Sequence, residues 1–151
     1  MERLNFRPIT LPIKNKENTQ HIWDPIRKKW VLLTPEEWVR QHCVAYLIYD
    51  KEVPKSLLNV EKKIEVNGMS KRYDIIVYSP KGTVLLLVEC KAAKVEISQN
   101  TFDQIARYNR AAQSHFLMVT NGINHYFCDM TQSHSRYHFL EDLPPFKQML
   151  G

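Results

Sequence analysis

Three side chains that can act together fall within one short stretch of this chain, residues 71–93. Asp74 lies in the first of two apolar runs, and Glu89 and Lys91 lie in the second. Residues i and i+2 of a strand project from the same face, so Glu89 and Lys91 share one side. Because a turn at residues 79–82 folds the second run back on the first, Asp74 comes next to Glu89. Two carboxylates and a lysine are costly in an apolar core, but they suit a divalent metal ion.

The elements that position these residues are three strands in a meander. Asn67-Gly68 predicts a two-residue hairpin turn between strands over 61–66 and 69–78. The third strand, over 83–92, contains the run 84–88, which is apolar on both faces. Such a run is typical of a central strand that is covered on both sides.

Helices are predicted before and after the meander. Thr34-Pro35-Glu36-Glu37 has the form of a helix start, with Thr34 as the N-cap and the helix continuing to about residue 49. A second helix is predicted over 98–113, with Ser98 as its N-cap and apolar residues at helical spacing. A strand over 116–120 follows this helix, and such a crossover favours parallel pairing with the central strand.

The ends of the chain carry weaker patterns. Residues 1–19 are expected to form an N-terminal arm, and residues 20–151 a single domain. Trp23 and Trp30 can pair across a two-stranded ribbon, but packing in the core is the favoured expectation for both. The other predicted segments are short strands at 21–23, 30–33 and 125–129, a type I′ turn at Asn121-Gly122, and loop with a short tail over 130–151.

Composition sets limits on the class of protein. The chain has 151 residues, a net charge of +5 and no apolar run long enough to cross a membrane. The N-terminus lacks the apolar segment of a signal peptide, so we expect a cytoplasmic protein. Its three cysteines are widely spaced, with no CxxC pair, which favours buried reduced thiols. The basic charge favours an anionic partner such as nucleic acid.

The order of these elements, with Asp and then Glu-x-Lys on the meander, resembles the PD-(D/E)xK nuclease superfamily. More narrowly, the sequence resembles the N-terminal nuclease domain of type I restriction enzyme R subunits and their small stand-alone relatives. The resemblance spans roughly residues 20–130. The segments that carry it are TPEEWVRQ (34–41), KRYDIIVY (71–78), VECKA (88–92), FDQIARYN (102–109) and VTNG (119–122).

This resemblance implies an α/β fold with a restriction-endonuclease-like core, in which helices flank a mixed central β-sheet. It also implies a hydrolase, a Mg²⁺-dependent (or Mn²⁺-dependent) endonuclease of restriction-modification type that cleaves DNA. Asp74, Glu89 and the carbonyl of Cys90 would then be the metal ligands, and Lys91 the catalytic lysine. A metal ion lowers the pKa of a bound water and polarises the phosphate, and a lysine beside it orients or deprotonates that water. A simple salt bridge at a strand end is the alternative for this triplet.

Further site residues are also implied by the resemblance. A glutamate from the first helix often joins such sites: Glu37 is the nearest match, Glu36 is the substitute, and a capping role for Glu37 toward Thr34 is the alternative. Gln104 and Tyr108 match a Gln-x-x-x-Tyr motif that is expected to position DNA or water, although both are equally compatible with a surface amide and a packing tyrosine. The expected phosphate contacts are Arg72, Lys94, Arg107 and Arg110.

Other functions remain open from the sequence. The chain can be a non-catalytic nucleic-acid-binding or assembly module that retains the nuclease fold, or a nuclease that acts on RNA. Expected partners are DNA and other restriction or helicase subunits, with a homodimer as one way to cut both strands. Cys128, His134 and His138 form a weak zinc pattern that lacks a fourth ligand.

Overall fold

Two β-sheets and three helices make up the part of the chain that this computed structural model describes, residues 1–131 and 137–151. The helices are α1 (Pro35–Ala45), α2 (Gln99–Arg110) and α3 (Phe146–Met149). The strands are β1 (Ile13–Lys16), β2 (Thr19–Asp24), β3 (Lys29–Leu32), β4 (Leu58–Val66), β5 (Met69–Tyr78), β6 (Val84–Cys90), β7 (Phe116–Thr120), β8 (His125–Asp129) and β9 (His138–Leu140).

The larger sheet has six strands in the order β4-β5-β6-β7-β8-β9. Its neighbours pair antiparallel except for β6 and β7, which run parallel with Leu86 opposite Phe116. Helix α2 forms the crossover between these two strands, because a parallel pair cannot be joined by a tight turn. The predicted α/β class, mixed central sheet and parallel β6–β7 pair are therefore confirmed.

Apolar side chains cover both faces of the sheet. One cluster joins α1 to β5 and β6 and includes Val39, Ile75 and Val88. The other joins α2 to the opposite face and includes Phe102 and Leu87. Strand β6 contributes to both clusters, which explains the run of five apolar residues predicted to form a central strand.

Capping residues set where the main helices begin. The Thr34 hydroxyl accepts a hydrogen bond from the Glu37 amide at 3.0 Å, and the Ser98 hydroxyl accepts one from the Thr101 amide at 3.1 Å. Both predicted N-caps are confirmed. Helix α1 ends at Ala45, and a wider π-helical turn over Tyr46–Asp50 completes the predicted span.

Of the two type I′ turns predicted from Asn-Gly pairs, the structure contains one. Asn67 and Gly68 both have positive φ, 52° and 77°, and connect β4 to β5 as the type I′ signal predicts. The second predicted type I′ turn is wrong. Residues 121–124 form a longer loop, because the Asn121 carboxamide oxygen accepts hydrogen bonds from the amides of Ile123 and Asn124.

The ends of the chain are more ordered than the sequence suggests. The predicted arm contains β1, which pairs with β2, and the Asn5 amide donates a hydrogen bond to the Gly122 carbonyl at 2.7 Å. Trp23 and Trp30 lie opposite each other with ring centroids 5.5 Å apart, and both are half-buried, so they pair across the ribbon instead of packing in the core. Strand β4 begins three residues earlier than predicted, and β9 and α3 lie in the segment predicted as loop.

All three cysteine side chains lie in the interior of the protein. Cys43, Cys90 and Cys128 are buried and free, as predicted. Among the helices of the described ranges, none has the length and apolarity needed to cross a bilayer.

Candidate active site

Asp74 and Glu89 meet where the ladder between β5 and β6 ends. Ile75 lies opposite Val88 in this ladder, so the next residues along each strand are Asp74 and Glu89. Beyond this point β5 continues with β4 alone. Lys91 follows β6 directly, and its amide donates a hydrogen bond to the carbonyl of Thr120 on β7 at 2.8 Å. Three neighbouring strands thus hold the predicted triplet.

The alternation of side chains along β5 shifts at Asp74. Tyr73 and Ile76 both pack in the α2-side cluster, although residues three apart in a regular strand face opposite ways. The residue across the ladder, Glu61, has a positive φ of 55° and forms no regular pair with Asp74. Irregularities of this kind redirect a side chain, and here the Asp74 carboxylate points to α1.

Two hydrogen bonds fix the Asp74 carboxylate. The Arg40 guanidinium donates to Oδ1 at 2.7 Å, and the Cys90 backbone amide donates to Oδ2 at 2.8 Å. Each carboxylate oxygen has two lone pairs, so each keeps one for a further partner. The orientation of Asp74 is therefore set by the protein itself.

Glu89 lies in an unfavourable environment for a negative charge. Burial, together with hydrogen bonding and repulsion from Asp74, raises the pKa of Glu89 to about 9, and Lys91 opposes this shift. Within the described residues, no basic side chain forms an ion pair with Glu89. A cation bound between the two carboxylates would relieve this repulsion.

Arg40 is the central cation of the site, and sequence analysis missed it. Its side chain is only 8% exposed and reaches four carboxylates. Burial by itself would lower the pKa of Arg40, but hydrogen bonding and attraction to Asp74 outweigh burial and raise it. The contacts are with Glu37 (2.6 Å), Asp74 (2.7 Å), Glu61 (3.1 Å) and Glu36 (3.2 Å). The available signal was its position three and four residues after two helical glutamates.

The two glutamates of α1 have different surroundings. The Glu37 carboxylate is buried and accepts hydrogen bonds from Arg27 (2.8 Å), Arg40 (2.6 Å) and Gln41 (3.1 Å). It therefore pairs with arginines instead of reaching back to the N-cap as the capping alternative predicted. Burial, followed by the charge of Asp74, raises the pKa of Glu36, while Lys91 opposes the shift. Glu36 is thus close enough to Asp74 and Lys91 for the charge of each to affect its pKa.

The motif on α2 connects to the site through another aromatic side chain. Gln104 and Tyr108 are exposed, and the Tyr108 ring lies 5.9 Å from that of Tyr73. Burial, then the nearby Tyr108 and Glu89, raises the pKa of Tyr73 to about 12. Lys71 places its ammonium 4.3 Å from the centre of the Tyr108 ring. Tyr108 is therefore next to Tyr73, and Tyr73 is in turn close to Glu89.

The predicted phosphate contacts all lie at the surface. Arg72, Lys94, Arg107 and Arg110 are exposed, and Arg72 lies 3.6 Å from Glu61. Arg107 lies one turn after Gln104 on α2, so the two side chains lie on one part of the helix surface.

The donor set suits magnesium better than zinc. No three His, Cys, Asp or Glu side chains of residues 1–131 and 137–151 converge on one point as a metal cluster. His134 of the weak zinc pattern lies outside the described residues, while Cys128 is buried and His138 is exposed. Mg²⁺ needs only one or two protein carboxylates and keeps several waters. Asp74 and Glu89 are adjacent, and Glu89 has no ion-pair partner among the described residues, so the two carboxylates fit that requirement.

Residues 35–144 match the family model of the type I restriction enzyme R protein N terminus. The chain belongs to this family. The match runs from α1 through β9 and includes Asp74, Glu89 and Lys91, so the resemblance inferred from the sequence is confirmed. The R-protein N-terminal family identifies a nuclease-like domain of restriction-modification type. No curated protein matches the chain.

We predict that Arg40→Met strongly destabilises the protein. The substitution leaves Glu37 and Asp74 buried without this cation, and removing one partner of a buried ion pair costs about 3–5 kcal/mol. Urea unfolding at neutral pH measures the change. Arg72→Met is the control, because Arg72 is exposed and should cost less than about 1 kcal/mol. Equal losses for the two variants would show that Arg40 does not organise the acidic cluster.

The raised pKa of Glu89 predicts how stability depends on pH without metal. The folded protein keeps a proton on Glu89 up to about pH 9, whereas the unfolded chain loses it near pH 4.5. This stabilisation is complete below the unfolded pKa and is lost as pH rises toward the folded pKa. In EDTA, Glu89→Gln should therefore melt above wild type at about pH 8.5, by about 2–4 °C per kcal/mol recovered, and the gap should close toward about pH 5.

The matched control for this experiment is Glu96→Gln, which removes an exposed carboxylate. Its melting temperature should follow that of wild type at every pH. A gap between Glu89→Gln and wild type that widens as the pH falls would contradict the raised pKa of Glu89.

Proposed function

We propose that this protein is a Mg²⁺-dependent endonuclease that hydrolyses DNA phosphodiester bonds. The observation that carries the proposal is the side-by-side placement of Asp74 and Glu89 at the end of the β5–β6 ladder. Lys91 directly follows the end of β6, and the family is that of the type I restriction enzyme R protein N terminus.

In this proposal Asp74 and Glu89 hold the ion, with the Cys90 carbonyl as a third protein ligand. When bound, Mg²⁺ supplies a more acidic water and positive charge for the phosphate. Asp74 needs little reorganisation, because Arg40 and the Cys90 amide already orient its carboxylate. The charge of Asp74 affects the pKa of Glu36, whose side chain is partly exposed, whereas Glu37 is buried between two arginines. Glu36 is therefore the helix glutamate better placed to act through a water at this site.

Lys91 has two roles that its position permits. Its ammonium group donates hydrogen bonds to a phosphate oxygen and so stabilises negative charge as it develops. The ammonium group also orients the attacking water through a hydrogen bond, whereas a neutral amine at this position would accept a proton from that water. Gln104 and Tyr108, on the exposed face of α2, position the DNA strand or a water network beside Glu89.

Arg72, Lys94, Arg107 and Arg110 contact backbone phosphates. Other restriction subunits and a second copy of the chain are the proposed protein partners.

The first test is cleavage of supercoiled plasmid in Mg²⁺ or Mn²⁺. We expect nicking by wild type and a decrease in rate of about 100-fold or more for Lys91→Ala, because the variant loses a charge that acts in the transition state. The control is Lys81→Ala, an exposed lysine in the turn between β5 and β6, which should cleave like wild type. A Lys91→Ala variant that cleaves as fast as Lys81→Ala would remove Lys91 from the mechanism. Single-stranded RNA beside the plasmid tests the substrate.

A second candidate function is a non-catalytic binding or assembly module. One observation favours it: both oxygens of Asp74 already accept protein hydrogen bonds, as in a purely structural ion pair. In that case Asp74 and Arg40 would only join β5 to α1, and divalent ions would have no effect on this part of the fold.

Metal-dependent stabilisation separates the two functions. For the nuclease, Mn²⁺ at about 100 times its dissociation constant should add about 2.7 kcal/mol to the free energy of unfolding, and Asp74→Asn should abolish this gain. Glu61→Gln, which removes another partner of Arg40, should retain it. Differential scanning fluorimetry with and without Mn²⁺ measures the shift. Equal responses of wild type and Asp74→Asn would support the binding module.

A further inference from the structure

The positive charge of this protein is concentrated before the family-matched region. Residues 1–33 contain seven basic and three acidic side chains, which accounts for +4 of the net charge of +5. The remaining 118 residues contain fourteen basic and thirteen acidic side chains and are almost neutral. The site elements from α1 to β9 therefore contribute little net attraction for an anionic polymer, and the N-terminal sheet supplies most of it.

We call the three-stranded sheet β1-β2-β3 the basic ribbon. Residues opposite each other in an antiparallel pair share a face, which places Lys14 and Lys16 on the face of Trp30. Ile22 and Asp24 lie on the other face, and both are fully buried. Lys14 lies 4.5 Å from the centre of the Trp30 ring. The ribbon thus has an inner face on the domain and an outer face that carries lysines.

Four lysines of the ribbon are open to an anionic ligand. Lys14 and Lys16 are exposed on the edge strand β1, and Lys28 is exposed in the turn between β2 and β3. Lys29 begins β3 opposite Asp24, at the end of the inner face, and is also exposed. In the described part of the chain, none of them forms an ion pair with a carboxylate. The hairpin of β4 and β5 differs, because Glu61 and Glu65 lie among its basic residues and Arg72 already lies near Glu61.

A chain of buried ion pairs joins the ribbon to the site. Asp24 builds the turn by accepting hydrogen bonds from the amides of Ile26 and Arg27. The Arg27 guanidinium contacts Asp24 at 2.5 Å and Glu37 at 2.8 Å. Glu37 then contacts Arg40, which contacts Asp74. The turn that carries Lys28, with Lys29 directly after it, therefore has a defined position relative to the site.

From this arrangement we infer that the basic ribbon is a docking surface for the phosphate backbone of duplex DNA. The inference rests on the proposed function for the identity of the substrate and adds a binding surface outside the family-matched residues. Lysines that form no ion pair with a carboxylate suit a uniformly anionic polymer, because each phosphate contact releases a counterion whatever the base sequence. The ion-pair chain keeps a duplex on the ribbon in a constant relation to Asp74.

The test is binding of a fluorescent DNA duplex in EDTA, measured by anisotropy. The ribbon variant combines Lys16→Gln, Lys28→Gln and Lys29→Gln. The matched variant combines Lys63→Gln, Lys81→Gln and Lys147→Gln, which are exposed lysines outside the ribbon. Each variant lowers the net charge by the same amount, from +5 to +2. Any difference between the two therefore reports the position of the charges and not their number.

We expect the ribbon variant to bind at least about tenfold more weakly than the matched variant at about 50 mM salt. The slope of log K against log salt should also fall in magnitude by about 2.7 for three lost phosphate contacts. Equal affinities for the two variants would overturn the inference, and so would wild-type protein that does not bind duplex DNA at this salt. Melting temperatures verify folding, and the double variant Lys28→Gln, Lys29→Gln serves if the triple variant does not fold.

Binding in EDTA does not depend on hydrolysis, so the two proposals fail separately. Wild-type protein that binds through the ribbon but never nicks plasmid would remove the proposed nuclease and retain the ribbon. Protein that nicks plasmid, but whose ribbon variant binds and cleaves like the matched variant, would remove the ribbon and retain the nuclease.

Discussion

One buried guanidinium holds the acidic end of this domain together. Four carboxylates from α1, β4 and β5 surround Arg40 within 3.2 Å, and without that cation they would repel one another. The pairing also docks α1 onto the sheet, since Arg40 and Asp74 are 34 positions apart in the chain. Apolar packing secures the rest of this helix through residues such as Val39. Charge and apolar burial therefore act on the same helix, through adjacent residues.

The site lies where the regular side-chain pattern of the sheet is interrupted. Strand β6 is apolar on both faces through Val88 and then places Glu89 in a partly buried position. Strand β5 shifts its alternation at Asp74, opposite a residue with positive φ. A core selected only for stability would not place two carboxylates together, because each raises the free energy of charging the other. Local conflicts of this kind are expected at functional sites.

The N-terminal sheet extends the domain beyond the region that defines its family. Its inner face is closed by Ile22 and Asp24, and its turn is built by Asp24. Alternating acidic and basic side chains lead from this turn to the site, so each buried charge has a partner of opposite sign. Buried pairs of this kind contribute little net stability compared with apolar residues. Their effect here is geometric, since they fix how the ribbon lies relative to β5.

The sequence by itself determined the features that depend on local pattern. Apolar runs, an Asn-Gly turn and two N-cap residues predict the meander of β4 to β6, both helix starts and the neighbouring positions of Asp74 and Glu89. Tertiary structure alone decided that Arg40 is the central cation, that Glu37 pairs with Arg27 and that the predicted arm contains β1. Arg40 and Asp74 are 34 positions apart and Arg27 and Glu37 are ten apart, and the energies of these contacts depend on burial and charge in the assembled fold. Strand β1 pairs with the next strand, but the turn between them, Glu17-Asn18, has no glycine to indicate it. A single sequence contains the residues for such contacts, but it does not show which of them meet.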